Sequence, residues 1–128
     1  MLPGDAHRAL IERYVAAYNA FDVPGLLALL DAEIVFQNVE NGRVTVEANG
    51  IEEFRQLAER AVQIFASRRQ TILRYSPVDD GAKVDIDFEG VLAAELGPAL
   101  RAGQTLRLSG RSTFAFRAGL IVRIIDES

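Results

Sequence analysis

Two tyrosines and one aspartate are the residues of this 128-residue chain best suited by type and spacing to acid–base chemistry. Tyr14 and Tyr18 are four residues apart, so they lie on one face of a helix. Their hydroxyls could donate hydrogen bonds to a ligand oxygen, or both rings could be core aromatics whose hydroxyls are satisfied by neighbours. Asp126 shares a face of the last predicted strand with Val122 and Ile124. If that face points inward, burial raises the pKa of Asp126 toward the range useful to a general acid or base. The alternative is a frayed, solvated strand end.

Three further residues are predicted to contact a ligand in the same interior: Asn38, Ser112 and Phe114. Asn38 follows Ile34 and Phe36 at even spacing, which places all three on one face of a strand. Its amide could bind a ligand carbonyl or hydroxyl, or satisfy a backbone group at the adjacent hairpin. Ser112 has no histidine base beside it in the pattern, so its role is at most a hydrogen bond. The inward face that Ser112 shares with Phe114 also carries Leu106, Leu108, Gly110 and Phe116.

Composition excludes several kinds of site. The chain has no cysteine and one histidine, His7, so it has neither a thiolate nucleophile nor a multi-histidine metal site. His7 is expected before the first helix proper, as a cap or in solvent. We find no glycine-rich phosphate loop and no metal-ligand spacing, so we expect no metal and no cofactor. The net charge of −4 and the pI of about 5.0 argue against nucleic-acid binding.

The N-terminus and the hydropathy pattern indicate a cytoplasmic protein. Met1–Asp5 has neither the basic nor the apolar region of a signal peptide. No apolar run approaches the roughly 18 residues that a membrane helix needs. Since 49% of the residues are hydrophobic and 25% are charged, the chain is typical of a soluble globular protein, and its length suits a single domain over residues 1–128.

Helices are predicted in the first half of the chain. Asp5 is the predicted cap of the first helix, and the apolar stripe of this helix is Leu10, Ile11, Tyr14, Val15 and Tyr18. A short, buried second helix is predicted over residues 26–30, after the break at Asp22–Gly25. The third begins after Asn49-Gly50 and is predicted to end at Arg68-Arg69, in solvent, where cations suit the helix dipole. Its stripe is Ile51, Phe54, Leu57, Ala61 and Phe65.

Strands are predicted mainly in the second half. Asn41-Gly42 between two apolar runs predicts a hairpin with a type I′ turn. From about residue 69 the apolar period changes to two, which predicts a meander of about four strands with turns at Asp80-Gly81 and Ala118-Gly119. Acidic residues alternate along one strand and arginines along another: Asp85, Asp87 and Glu89, and Arg107, Arg111 and Arg117. We predict that these rows pair across the strands; a charged dimer face or an anion site is the alternative.

Helices first and strands last predict an α+β fold with three N-terminal helices on one face of a curved antiparallel sheet. A sheet curved around a few helices leaves a hollow. Concave, apolar hollows with a few polar groups are where small molecules bind.

Three segments carry a resemblance to a known superfamily. The first runs from Arg13-Tyr14-Val15-Ala16-Ala17 through Asn19-Ala20, Asp22 and Gly25 to Ala28-Leu29; the others are Gly50–Phe54 and Phe114–Val122. They resemble bacterial ketosteroid isomerase and hence the nuclear transport factor 2-like superfamily, which includes SnoaL-type polyketide cyclases, limonene-epoxide hydrolase and scytalone dehydratase. The resemblance implies a cone-shaped, cystatin-like sheet with a mixed edge, wrapped around the helices. It also implies a homodimer packed through the outer sheet face.

The catalytic set of the isomerase carries over only in part. Its oxyanion-binding tyrosine matches Tyr14, its general-base aspartate falls on Asn38, and its protonated aspartate falls near Ser112. An amide cannot abstract a proton, and a serine hydroxyl is a weaker donor than a neutral carboxylic acid. We therefore predict that the chain does not isomerise ketosteroids by that mechanism. The resemblance makes Asp126 a credible acid–base residue, since some cyclases of the superfamily place such an aspartate on a late strand.

These observations predict a SnoaL-like, ketosteroid isomerase-like protein that binds a small apolar ligand. Isomerase, cyclase or lyase chemistry would use Tyr14 and Asp126 as catalytic residues, with Asn38 beside them. The alternative is a non-catalytic ligand-binding protein or a dimeric partner-binding module, which the loss of both isomerase aspartates favours.

Overall fold

The computed structural model describes residues 3–128, and side chains from residue 4 onward. Three helices precede or interrupt a six-stranded sheet. The helices are α1 (Pro3–Asn19), α2 (Val23–Leu27) and α3 (Ile51–Ile64). The strands are β1 (Leu30–Glu40), β2 (Arg43–Asn49), β3 (Phe65–Val78), β4 (Gly81–Leu92), β5 (Thr105–Arg117) and β6 (Leu120–Glu127). The order of helix, helix, hairpin, helix and meander is as predicted.

The sheet is open and curled, with the strand order β2-β1-β6-β5-β4-β3. Neighbouring strands are antiparallel except for β1 and β6, which are parallel, so the sheet is mixed. Sixteen buried residues from the helices and the inner sheet face form one core, which includes Ile11, Leu26, Ile34, Phe114 and Ile124. The expected α+β fold is confirmed. No helix within residues 3–128 is long and apolar enough to cross a membrane.

The first two helices differ in their bounds from the sequence prediction. Because α1 begins at Pro3, Asp5 lies inside its first turn and is not its cap. His7 is also within α1, where its ring stacks on Phe116 at 4.0 Å between centroids. Asp22 caps α2, accepting a hydrogen bond of 2.9 Å from the Gly25 amide. The second helix therefore starts earlier than predicted, and Leu30 belongs to β1.

The third helix ends before the predicted Arg68-Arg69. Its last residue is Ile64, and Phe65 is extended, with φ −111° and ψ 136°. Phe65 already pairs with Leu92 of β4, so strand β3 begins at this residue. Both arginines lie on β3 and alternate in direction: Arg68 is buried and Arg69 is exposed. The prediction of a solvated helix end is wrong for Arg68.

Two tight turns hold the hairpins as predicted. Asn41 and Gly42 both have positive φ, 52° and 76°, as a type I′ turn requires. Ala118 and Gly119 repeat the pattern with φ of 51° and 80°.

A β-bulge in β6 changes which side chains face inward. Ala115 pairs with Arg123 and Phe116 pairs with Ile121, which leaves Val122 without a register partner on β5. One extra residue reverses the alternation on one side of a bulge. Ile121 and Ile124 are both fully buried, whereas Val122 lies on the outer face. The predicted inward direction of Val122 is wrong, but Ile124 and Asp126 face inward as predicted.

The charged rows of the outer face pair across β4 and β5. Arg111 forms an ion pair with Asp85, with 3.0 Å between Nε and Oδ1. Arg107 forms one with Glu89, with 3.1 Å between Nε and Oε2. The expected pairing is confirmed for these residues. Arg117 instead reaches Asp31 of β1 at 2.9 Å, along with Glu33. Exposed pairs of this kind contribute little, roughly 0–1 kcal/mol each.

Candidate functional site

Three of the predicted polar residues form one row across the sheet. Asn38 of β1 is the register partner of Asp126 of β6, and Asp126 is the register partner of Ser112 of β5. Residues opposite one another on adjacent strands project from the same face. The three side chains, far apart in sequence, therefore meet on the inner face of the sheet.

Asp126 is the carboxyl group of this row. The Ser112 hydroxyl, itself buried, donates a hydrogen bond of 2.6 Å to Oδ1 of Asp126. Burial raises the pKa of Asp126 to about 6, against the hydrogen bond from Ser112, which lowers it. A carboxyl group with this pKa has substantial populations of both protonation states near neutral pH, as a general acid or base requires.

The two tyrosines of α1 lie over this row. Burial, followed by the negative charge of Asp126, raises the pKa of Tyr14 well above its usual value. Burial also raises the pKa of Tyr18, although the nearby Arg68 guanidinium opposes the shift. Both phenols are therefore neutral hydrogen-bond donors at pH 7. The ring of Phe114, which is only 1% exposed, packs edge-on against Tyr14 with centroids 5.7 Å apart.

These residues border a cavity of about 560 Å³ between the helices and the sheet, within the size range of small-molecule sites. Of the predicted site residues, its lining includes Tyr14, Tyr18, Asn38 and Asp126. A second cavity of about 230 Å³ shares Tyr18, Asn38 and Asp126 with the first and adds Ser112. Phe114 is not among the lining residues of either cavity; it supports Tyr14 from below.

Asn38 serves the hairpin as well as the cavity. Its Nδ2 donates to Thr45 Oγ1 on β2 at 2.9 Å, and Thr45 Oγ1 donates back to the Asn38 carbonyl at 3.2 Å. Within residues 3–128 the Asn38 amide bonds the side chains of Thr45 and Glu40 and no backbone group, so the predicted bond to a backbone group is wrong, whereas the side chain does line the cavity.

Arg68 is the site residue that sequence reasoning missed. It lines the cavity and is 5% exposed. Its Nε donates to the Tyr18 carbonyl at 2.9 Å, and its guanidinium carbon stands 3.7 Å above the centre of the Tyr18 ring. The available signal was the even spacing of Arg68, Gln70 and Ile72, had the strand been started at Phe65.

The last turn of α1 is joined directly to the strand that carries Arg68. Asn19 Nδ2 donates to the Gln70 carbonyl at 3.1 Å, and the Gln70 amide donates to Asn19 Oδ1 at 2.7 Å. This pair of bonds holds the tyrosine face of α1 against β3.

Two other features of the described chain bear on the site. Within residues 3–128, no three His, Cys, Asp or Glu side chains cluster as metal ligands do. A depression of about 600 Å³ lies on the outer sheet face, but it is lined by charged groups such as Arg69, Asp87, Glu89 and Arg107. The inner cavity combines apolar walls with Asp126, two phenols and a cation.

Comparison with known proteins shows the family and the fold. The sequence model of the SnoaL-like domain family matches residues 11–124. A comparison with curated protein sequences gives no match.

Several solved structures share this architecture. A candidate polyketide cyclase from Xanthomonas campestris pv. campestris superposes with a TM-score of 0.82 at 21% identity, covering 98% of this chain and 91% of that one. A second candidate polyketide cyclase, from Silicibacter sp. TM1040, has a TM-score of 0.79 at 25% identity, with coverage of 98% and 90%. A protein with a ketosteroid isomerase-like fold from Catenulispora acidiphila DSM 44928 has a TM-score of 0.74 at 14% identity, with coverage of 91% and 82%.

The family match spans most of the chain, and the solved structures superpose on more than nine-tenths of it. The chain belongs to the SnoaL-like domain family of the nuclear transport factor 2-like superfamily.

Proposed function

We propose that this protein binds a small, largely apolar carbonyl compound in the inner cavity and moves a proton at the carbon next to the carbonyl. The observation that carries the proposal is the Asp126 carboxyl group, with a pKa of about 6, in an apolar cavity beside two neutral phenols. Proton transfer of this kind is the step that isomerases, cyclases and lyases share.

The proposed step uses this chain's residues in defined roles. The Asp126 carboxylate takes the proton, the C–H electron pair forms the enolate double bond, and the carbonyl π electrons move to oxygen. The Tyr14 and Tyr18 hydroxyls donate to that oxyanion. Asp126 then returns the proton to a different carbon, or the enolate carbon attacks a second carbonyl, or a leaving group departs.

The position of Asp126 is the reason to propose a base despite Asn38. Asn38 falls where the resemblance implies the isomerase base, and it cannot abstract a proton. Asp126 is its register partner on the neighbouring strand, so a carboxyl group stands at the same level of the sheet. Ser112 orients that group from the other side.

Deuterium exchange tests the proposal without knowledge of the natural substrate. The probe is 2-tetralone, whose acidic C–H bonds flank a carbonyl, followed by proton NMR in D₂O. We expect exchange above the buffer rate, and a fall of about 10²–10⁴-fold in Asp126→Asn. Glu127→Gln, at an exposed neighbouring position, is the matched control and should behave as wild type. Equal rates for wild type and Asp126→Asn would overturn the proposal.

A non-catalytic ligand-binding protein is the second candidate function. Asn38 favours it, because its amide is engaged with Thr45 and offers no acid–base chemistry. Ligand binding with exchange at the buffer rate would identify this case. A dimeric partner-binding module stays a prediction of the same kind.

We further propose a homodimer formed through the outer sheet face, and a cytoplasmic location. The resemblance to the superfamily supports the dimer, and the exposed charged rows of β4 and β5 are surfaces that a second copy could cover. Light scattering coupled to size-exclusion chromatography tests it: a mass of two chains is expected, and a single-chain mass contradicts it.

A further inference from the structure

Arg68 is a buried cation in the inner cavity with no carboxylate partner among residues 3–128. Arg55, Arg107 and Arg111, by contrast, pair with carboxylates at the surface. Moving a charge out of water costs several kcal/mol unless a counter-charge and hydrogen bonds compensate it. Burial is the first cause that lowers the pKa of Arg68, yet a guanidinium stays charged at all ordinary pH values.

The contacts that do hold Arg68 orient it without neutralising it. Its Nε donates a hydrogen bond to the Tyr18 carbonyl, and the ring centroids of Tyr18 and Phe21 lie 3.7 Å and 4.7 Å from the guanidinium carbon. A guanidinium carries five N–H donors in a rigid fork, and Nε uses only one of them. A cation held rigidly in this way is pre-organised to bind a planar anion such as a carboxylate, to which it donates two parallel hydrogen bonds.

Arg68 and Asp126 both line the cavity, and no ion pair within residues 3–128 joins them. Burial raises the pKa of Asp126, and the Ser112 hydrogen bond opposes it; burial lowers the pKa of Arg68, and the two tyrosines oppose it. Tyr14 and Tyr18 lie near both groups, because the charges of Asp126 and Arg68 each shift the pKa values of both phenols. The apolar part of the wall includes Leu57, Ala61 and Ile64 of α3, and the other polar side chains of the lining are Asn38, Glu40 and Gln70.

We propose that the ligand of this cavity is a small organic monoanion, with its carboxylate on the Arg68 guanidinium and its apolar body against α3. One guanidinium matches one carboxylate, and the carboxyl groups of Asp126 and Glu40, which also line the cavity, disfavour a second negative charge on the ligand. The placement of the ligand's far end at Asp126 rests on the proposed function. The binding of the carboxylate does not.

The test compares two probes of the same shape, 2-naphthoate and neutral 2-naphthamide, by isothermal titration calorimetry at pH 7.5. We expect wild type to bind 2-naphthoate at least about 10-fold more tightly than 2-naphthamide. Arg68→Met should lose this preference while 2-naphthamide affinity changes little. Arg69→Gln, at the exposed neighbouring position, is the matched control and should retain it.

A second variant distinguishes loss of anion binding from a folding defect in Arg68→Met. Arg68→Lys keeps the charge but loses the fork, so it should bind 2-naphthoate more weakly than wild type and more tightly than Arg68→Met. Equal affinity of wild type for the two probes, or no binding of 2-naphthoate at about 1 mM, overturns the inference.

The outcome is separable from that of the proposed function. Asp126→Asn should retain the preference for 2-naphthoate while its deuterium exchange falls. A preference that depends on Arg68, together with exchange at the buffer rate, upholds the anion site and refutes the proton transfer. Exchange that depends on Asp126, without a preference for 2-naphthoate, upholds the proton transfer and refutes the anion site.

Discussion

Ser112 on β5 donates a hydrogen bond of 2.6 Å to Oδ1 of Asp126 on β6, and the two residues are also register partners in the sheet. The backbone pairing sets the distance between their Cα atoms, so the hydroxyl reaches the carboxylate without rearrangement. This bond stabilises the charged form of Asp126, whereas burial stabilises the neutral form. The balance between these two effects governs the acid–base behaviour of the site.

Removing the hydroxyl is expected to raise the pKa of Asp126 above its value of about 6, because only the opposing effect of burial is left. The change is Ser112→Ala, and the measurement is the pH titration of the Asp126 carboxyl carbon by NMR. Ser109→Ala is the matched control, since Ser109 donates to Asp87 on the outer face at 2.9 Å. An unchanged or lower pKa of Asp126 in Ser112→Ala would contradict this account.

The raised pKa of Asp126 also predicts how stability depends on pH. The folded chain binds this proton up to a pH of about 6, whereas an unperturbed Asp releases it near 3.8. Between these values the folded state holds more protons than the unfolded state, so the contribution of Asp126 to the free energy of unfolding decreases as the pH rises.

Asp126→Asn should abolish this loss of stability at rising pH, because asparagine has no carboxyl proton to release. We expect its free energy of unfolding to exceed that of wild type by about 1–3 kcal/mol at pH 7 and by little at pH 4. Urea unfolding of both proteins across this pH range measures the difference. Exposed carboxylates with lowered pKa values, such as Asp31 and Glu47, contribute equally to both proteins, so their effect on the difference cancels. A difference that does not grow with pH would refute the assignment.

Much of the site was predictable because its residues lie on regular elements. The helical spacing of Tyr14 and Tyr18 and the strand spacing of Asn38 and Ser112 place them correctly with respect to the interior. Such alternation holds wherever the backbone is regular. The predicted direction of Val122 fails because the bulge beside it depends on pairing with β5, which the spacing of residues in β6 does not encode.

Arg68 could not be placed for a related reason. Its segment continues a helical apolar stripe, and local preferences do not end α3 at Ile64. The end comes from the pairing of Phe65 with Leu92, a contact between residues distant in sequence. An arginine beyond a helix end is usually solvated, whereas the same arginine on a strand that faces the core is buried. The chemical character of the residue thus depended on a boundary set by tertiary structure.

Tyr14→Phe is expected to separate the role of the hydroxyl from that of the ring. The ring packs edge-on against Phe114, and phenylalanine keeps that contact. Stability should therefore change by less than about 1 kcal/mol. Deuterium exchange of 2-tetralone should fall at least about 10-fold, because a donor to the oxyanion is lost.

Tyr75→Phe is the control for this prediction, since Tyr75 donates to the Gly4 carbonyl at 3.3 Å, outside the cavity lining. If Tyr14→Phe exchanged as fast as wild type and as Tyr75→Phe, its hydroxyl would have no part in the reaction. Unfolding curves of both variants show whether the comparison is made between folded proteins.

The stability of Arg68→Met distinguishes a ligand-binding cation from a structural one. Replacing an uncompensated buried charge by an apolar side chain of similar length removes a desolvation cost of several kcal/mol. It forfeits a cation–π contact worth about 0.5–2 kcal/mol and one hydrogen bond to Tyr18. We therefore expect Arg68→Met to be as stable as wild type or more stable by about 1 kcal/mol, measured by urea unfolding without ligand. A residue that costs stability while it improves anion binding is characteristic of a functional site. A loss of more than about 2 kcal/mol in Arg68→Met, with Arg69→Gln unchanged, would mean that Arg68 holds α1 to β3.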